Sequence, residues 1–193
     1  MVFHPEKADK QAYYRRLYET YEHDLFSYGS AFGLSKEELE DAIHDVFLHL
    51  YERGDKLGGD GNAKFYLLNC LKNRIRMQKR REQFTECIEE GKEEHNFLIV
   101  VNDFELIEEE HEKSQLVNRL QRMLDALTDR QREAIYLRYT QGLTYEEIGK
   151  IMLIQPTAAQ KLVYRAISEM QKMSFISIYL LLLWLQTSFL SRG

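Results

Sequence analysis

Residues 127–170 read LTDRQREAIYLRYTQGLTYEEIGKIMLIQPTAAQKLVYRAISEM. Thr128 with Gln131, and Thr144 with Glu147, place a hydroxyl at a helix start and a polar acceptor three residues on. In that pattern two otherwise unpaired amides are satisfied reciprocally. Gly142 suits the end of the helix between these starts, and Pro156 suits the first turn of a last helix. That last helix would bury Ala159, Leu162, Val163, Ala166, Ile167 and Met170 on one stripe. Its other side shows Thr157, Ala158, Lys161, Tyr164, Arg165 and Ser168. A short helix, the connector Leu153–Gln155 and a longer helix with a polar, cationic face form a helix-turn-helix, whose second helix enters the major groove. Gly149, with no side chain, falls where the two helices approach most closely. Thr157, Lys161 and Arg165 become the groove-facing donors. The competing reading is an ordinary helical hairpin with solvated cations.

Upstream, Leu116, Leu120, Met123, Leu124 and Leu127 define a preceding amphipathic helix. Working back further, the chain changes character. From Glu86 to Glu112 there are eleven acidic residues and Lys92 is the single Lys or Arg, so this stretch carries −10. The chain total is −5, which leaves +5 for the rest. Lys72, Arg74, Arg76, Lys79, Arg80 and Arg81 then form a run with no acid among them. Such asymmetry is the pattern of a polyanion binder with an acidic tether. Inside the tether the apolar run Phe97 to Val101 is suited to docking on another surface.

Before the tether lies a second helical module. Ser35 and Glu38 form a capping box, and a helix beginning near Lys36 puts Leu39, Ile43, Val46, Phe47 and Leu50 on one face. The opposite face carries Asp41, His44, Asp45, Leu48 and Glu52. It is either a solvated surface with one stray Leu or a docking face for another protein. Gly54 to Asn62 is rich in turn residues. A helix over roughly 63–82 follows, with Tyr66, Leu67, Cys70, Leu71 and Met77 on one side. Phe65, Asn69, Lys72, Asn73, Arg76, Lys79 and Arg80 fall on the other, while Arg74 and Arg81 lean towards the apolar side. Cations neutralise phosphates, and amides and aromatics read or stack on exposed bases. This face is therefore a nucleic-acid surface.

At these residues the chain resembles the sigma-70 family, in its small extracytoplasmic-function (ECF) type. EDAIHDVFLHLYERGDKL is similar to the family's core-binding segment. NAKFYLLNCLKNRIRMQKRR is similar to the segment that opens and reads the minus-ten promoter element. The stretch quoted first is similar to the domain that binds the minus-thirty-five element. The resemblance implies an all-α protein of two small helical domains joined by an acidic linker; the family pattern ends before the tail, where the apolar residues themselves suggest a further C-terminal helix. The expected boundaries are 9–84, 85–113, 114–173 and 174–193. It implies that Asp41, His44, Asp45 and Leu48 dock on core RNA polymerase, and that Phe65, Tyr66, Asn69, Lys72, Asn73, Arg76, Lys79 and Arg80, with the GDGN loop, capture melted minus-ten DNA. Thr157, Ala158, Lys161, Tyr164 and Arg165 would read the minus-thirty-five element. The acidic linker would thread the polymerase cleft, and an anti-sigma factor is an expected partner. The chain departs from the family pattern in having His44 for Gln, Tyr66 for Trp, Leu153 for Gly and Gln155 for Ser. Because a side chain at 153 opposes left-handed backbone, a different turn is expected there.

His44 and His49 fall on different sides of a helix, and Cys70 and Cys87 have no paired spacing, so no metal or cofactor is expected. No phosphate loop or nucleophile elbow occurs, and no enzyme is expected. Two cysteines and no N-terminal apolar stretch fit a cytoplasmic protein. Residues 174–191 carry no charge. As a helix they span about 27 Å, slightly short of a bilayer core of about 30 Å. The preferred reading is an extra helix packed on the second module or a partner. A tail anchor is the alternative, and recovery of the full chain without detergent separates the two. The rival functions are a stand-alone helix-turn-helix DNA-binding regulator, which leaves the Asp41–Leu48 face unexplained, and a degenerate sigma-like interaction protein.

Overall fold

The computed structural model describes residues 5–53, 60–85, 96–101 and 110–172. All regular structure among them is helical: α1 (Pro5–Ser30), α2 (Lys36–Arg53), α3 (Asp60–Thr85), α4 (Glu110–Asp125), α5 (Asp129–Ile135), α6 (Tyr145–Met152) and α7 (Pro156–Gln171). The chain divides into two compact units, residues 1–93 and 94–193.

In the first unit α1, α2 and α3 pack on one another. Spacing at i, i+4 and i+7 puts Tyr21, Leu25 and Tyr28 on one face of α1, and all three are buried. This helix is heavy in tyrosine and charge; it lies in the expected helical domain, but no capping signal above marks its start or end. Tyr28 meets Phe32 edge to face, with ring centroids 5.1 Å apart. At Gly29 the two first helices come so close that a Cβ would lie 2.2 Å from Leu39 Cδ1. The capping box at Ser35 forms as expected: Glu38 N–H donates to Ser35 Oγ (3.3 Å), and Ser35 N–H donates to Glu38 Oε2 (2.8 Å). The Ser35 hydroxyl also donates to Glu38 Oε2 (2.8 Å), and the backbone and hydroxyl bonds from Ser35 hold the Glu38 carboxyl below the usual carboxylate range. Leu39, Ile43, Val46, Phe47 and Leu50 are all buried. Asp60, Gly61 and Asn62, expected in a loop, are instead the first residues of α3; residues 54–59 lie outside the described residues.

The second unit is built on α4 to α7. Both of its capping boxes form, Thr128 with Gln131 and Thr144 with Glu147. After α5 the helix widens into a π-helical turn, Tyr136–Thr140. It ends at Gly142, whose φ of +71° is left-handed. The apolar run of the acidic stretch docks here. Phe97, Ile99 and Val101 are buried and Leu98 and Val100 exposed, the two-residue alternation of extended chain. Gln121 of α4 clamps its backbone, accepting from Val101 N–H (2.9 Å) and donating to Ile99 O (3.1 Å). Arg132 of α5 donates to Phe97 O (2.8 Å) and to Leu124 O and Leu127 O at the end of α4 (3.0 and 2.8 Å). It also pairs with Asp129. Phe97 itself packs edge to face on Tyr136 at 5.6 Å.

No described helix is long and apolar enough to cross a membrane. The tail, 173–193, lies outside the described residues.

Candidate nucleic-acid and partner interface

On α2 the expected docking face is open. Asp41 and His44 are exposed, and Leu48 is 45% exposed. Tyr51, three residues after Leu48 and so on the same face, is also exposed. The 44–48 spacing extends to 51, but Tyr51 was not among the expected residues. Asp45 differs from its neighbours: it is half-buried and paired with Arg74 of α3.

Helix α3 is rotated relative to the expected faces. Its buried stripe is Ala63, Leu67, Leu68, Leu71, Lys72 and Ile75. Its outward side carries Asn73, Met77, Arg80 and Arg81, with Phe65, Tyr66, Asn69, Cys70 and Arg76 half-exposed. At 100° per residue this turns the open face by roughly 60° towards Tyr66 and Met77. Met77, expected in the core, is 53% exposed, and Lys72, expected on the open face, is only 2% exposed. The Lys72 ammonium sits 3.7 Å from the centre of the Phe32 ring. There the ring face compensates a buried cation. Lys79 donates to Phe32 O at 3.0 Å, and Lys64 pairs with Asp24 of α1 at 2.9 Å. Lys72, Lys79 and Arg74 thus fasten both flanks of α3 to the rest of the bundle. Arg76, Arg80 and Arg81 form the cationic part of the outward side, and Asn73 Oδ1 accepts from Arg76 (3.3 Å). Burial pushes the Cys70 thiol up, against the hydrogen bond from Tyr66 and the charge of Arg53. The thiol therefore stays protonated at neutral pH and is a poor nucleophile.

In the second unit α6 and α7 pack on each other through the expected close approach. A Cβ at Gly149 would lie 2.8 Å from Ile154 O and 3.3 Å from Pro156 N. The turn itself corrects the expectation for residue 153. Leu153 adopts the left-handed conformation (φ 54°, ψ 47°) with its side chain 70% exposed. The turn closes because Ile154 N–H donates to Gly149 O (2.9 Å) and Leu153 N–H to Lys150 O (3.4 Å). Those bonds satisfy the last carbonyls of α6. Pro156 opens α7, with Ala159, Val163, Ala166 and Met170 buried. Leu162 and Ile167 are only partly covered. Thr157, Lys161, Tyr164 and Arg165 are exposed, Ala158 half so. They share the side of α7 opposite the buried stripe, starting at a helix N-terminus whose dipole favours phosphate.

Among the described residues no three His, Cys, Asp or Glu side chains group as a metal site. What the two units present is an acidic and apolar helix face, a cationic and amide-bearing face on the next helix, and a helix-turn-helix.

Two family models match the chain: Sigma-70 region 2 over residues 17–85 and Sigma-70, region 4 over residues 118–170. Together they cover more than half of it. No curated protein matches the sequence. Among solved structures the fold is similar to the sigma factor RpoE of Bartonella quintana, crystallised in complex with the anti-sigma factor NepR. The two chains are 17% identical, with a TM-score of 0.50 over 86% of this chain and 94% of that one. With region 2 and region 4 in this order on the two units, the chain belongs to the sigma-70 family and is an ECF-type sigma factor of transcription initiation.

Proposed function

We propose that the chain guides bacterial core RNA polymerase to a two-part promoter through three faces and performs no chemistry of its own. The α2 face of Asp41, His44, Leu48 and Tyr51, with Asp45 at its edge, docks on a cationic surface of core. The outward side of α3, with Tyr66, Asn69, Asn73, Arg76, Met77, Arg80 and Arg81, holds the melted minus-ten strand. Phe65 lies at the margin of that side. Thr157, Ala158, Lys161, Tyr164 and Arg165 of α7 enter the major groove at the minus-thirty-five element. The observation that carries this reading is the outward side of α3. It places cations, amides and an aromatic together, the combination that binds unstacked bases and their phosphates. Lys72 and Lys79 belong to the fastening of α3, and their effect on DNA is indirect.

The domains are assigned as 9–84, 85–113, 114–173 and 174–193, with the extended segment 96–101 of the linker held by the last helical domain. A cytoplasmic site of action follows from the partners. Because the similar Bartonella protein is bound to an anti-sigma factor, an anti-sigma partner is proposed here too.

The test is open-complex formation by full-length chain with core polymerase. Asn73→Ala with Arg80→Ala is expected to weaken opening. It should also make the salt dependence of binding shallower by about 0.7 for each lost single-strand phosphate contact. Lys72→Ala should instead lower thermal stability. Unchanged opening and salt slope in the Asn73/Arg80 variant contradict the assignment.

A further inference from the structure

The pairing of Asp45 with Arg74 joins two faces that the proposed function uses separately. Asp45 lies on α2, four residues after Asp41 and three before Leu48, at the edge of the docking face. Arg74 lies on α3, three residues before exposed Met77 and seven before exposed Arg81, at the edge of the nucleic-acid face. Their side chains are 42% and 37% exposed. The Nε of Arg74 is buried and has no hydrogen-bond partner among the described residues. The guanidinium is therefore held through one end only, by a carboxylate that also faces a docking surface.

We infer that Asp45 keeps Arg74 from nucleic acid in the free factor, and that a cationic partner group at the α2 face takes over Asp45 and releases Arg74 to a phosphate of the melted strand. This rests on the roles proposed above for α2 and α3. The exchange needs no change of fold. A half-exposed ion pair is weak and exchanges readily, and an Arg stem is long enough to swing from one edge of a helix to the neighbouring solvent face. Arg74 then aligns with Met77 and Arg81 on the outward side of α3. The consequence is ordered assembly: the factor binds single strands poorly until core has docked.

Binding of a labelled single-stranded DNA by the full-length free chain tests this over a range of salt. Asp45→Asn should bind about two- to fivefold more tightly than the natural chain, the range for one exposed charge contact. Its salt slope should be steeper by about 0.7. In an Arg74→Gln background the same Asp45→Asn change should do nothing, because no guanidinium is left to release. Circular dichroism melts confirm that each variant is folded. Asp45→Asn binding no tighter than the natural chain, including both below detection, overturns the inference. So does equal tightening in the Arg74→Gln background, which would make Asp45 a general repulsive charge. If Asn73→Ala with Arg80→Ala weakens opening while Asp45→Asn changes nothing, only this inference fails and the assignment of α3 stands.

Discussion

Leu153 illustrates how a single residue can oppose its backbone without changing the turn. A left-handed conformation costs a residue with a Cβ about 1–2 kcal/mol, yet Leu153 adopts it. Two capping hydrogen bonds and the tight seat of Gly149 against Ile154 over-determine the geometry. The expectation of a different turn weighed the local cost and omitted these neighbours. Since the side chain is exposed, Leu153→Gly gives up little packing. It should raise the stability of the second unit by about 1 kcal/mol, read in urea or thermal unfolding. A loss of stability would mean that Leu153 makes contacts of its own. Lys72 shows the same limit from the other direction. A helical wheel treats lysine as outward, and here its stem lies in the core because the ammonium finds the Phe32 ring.

At the scale of elements, starts and stops were legible and orientations less so. The capping residues Ser35, Thr128 and Thr144, the stop at Gly142 and the first-turn Pro156 all act through bonds within a few residues. The facing of α3 depends on α1 and α2 covering a wide arc around it, which no local pattern encodes. Helix α1 falls within the region expected to be helical, but its bounds were not legible because tyrosines form its buried stripe and charges interrupt it. The apolar run at 97–101 was legible as something that docks, while the surface it docks on is set by Gln121 and Arg132, 20 to 35 residues further along the chain. Arg132 ties the extended segment, the end of α4 and Asp129 together. Arg132→Ala should destabilise the second unit by about 3 kcal/mol, since several buried carbonyls lose a charged donor. The Val101 amide should lose hydrogen-exchange protection along with it. Protection unchanged in that variant would show that Gln121 alone holds the segment.

Across the whole molecule the net charge of −5 conceals the function, because acids crowd into the tether and cations into the helical units. The two units, each matching a region of one family in this order, make the chain a single initiation factor. Of the three proposed faces two were legible only in part: Tyr51 and Met77 join them only once helix packing is known, and Lys72 and Lys79 leave one, whereas the five α7 residues lie together on one side as expected. The most direct test is run-off transcription from genomic fragments with core polymerase, with and without the chain. Discrete new start sites that depend on the chain are the predicted result. No new starts, together with no co-elution of the chain with core polymerase, would contradict it.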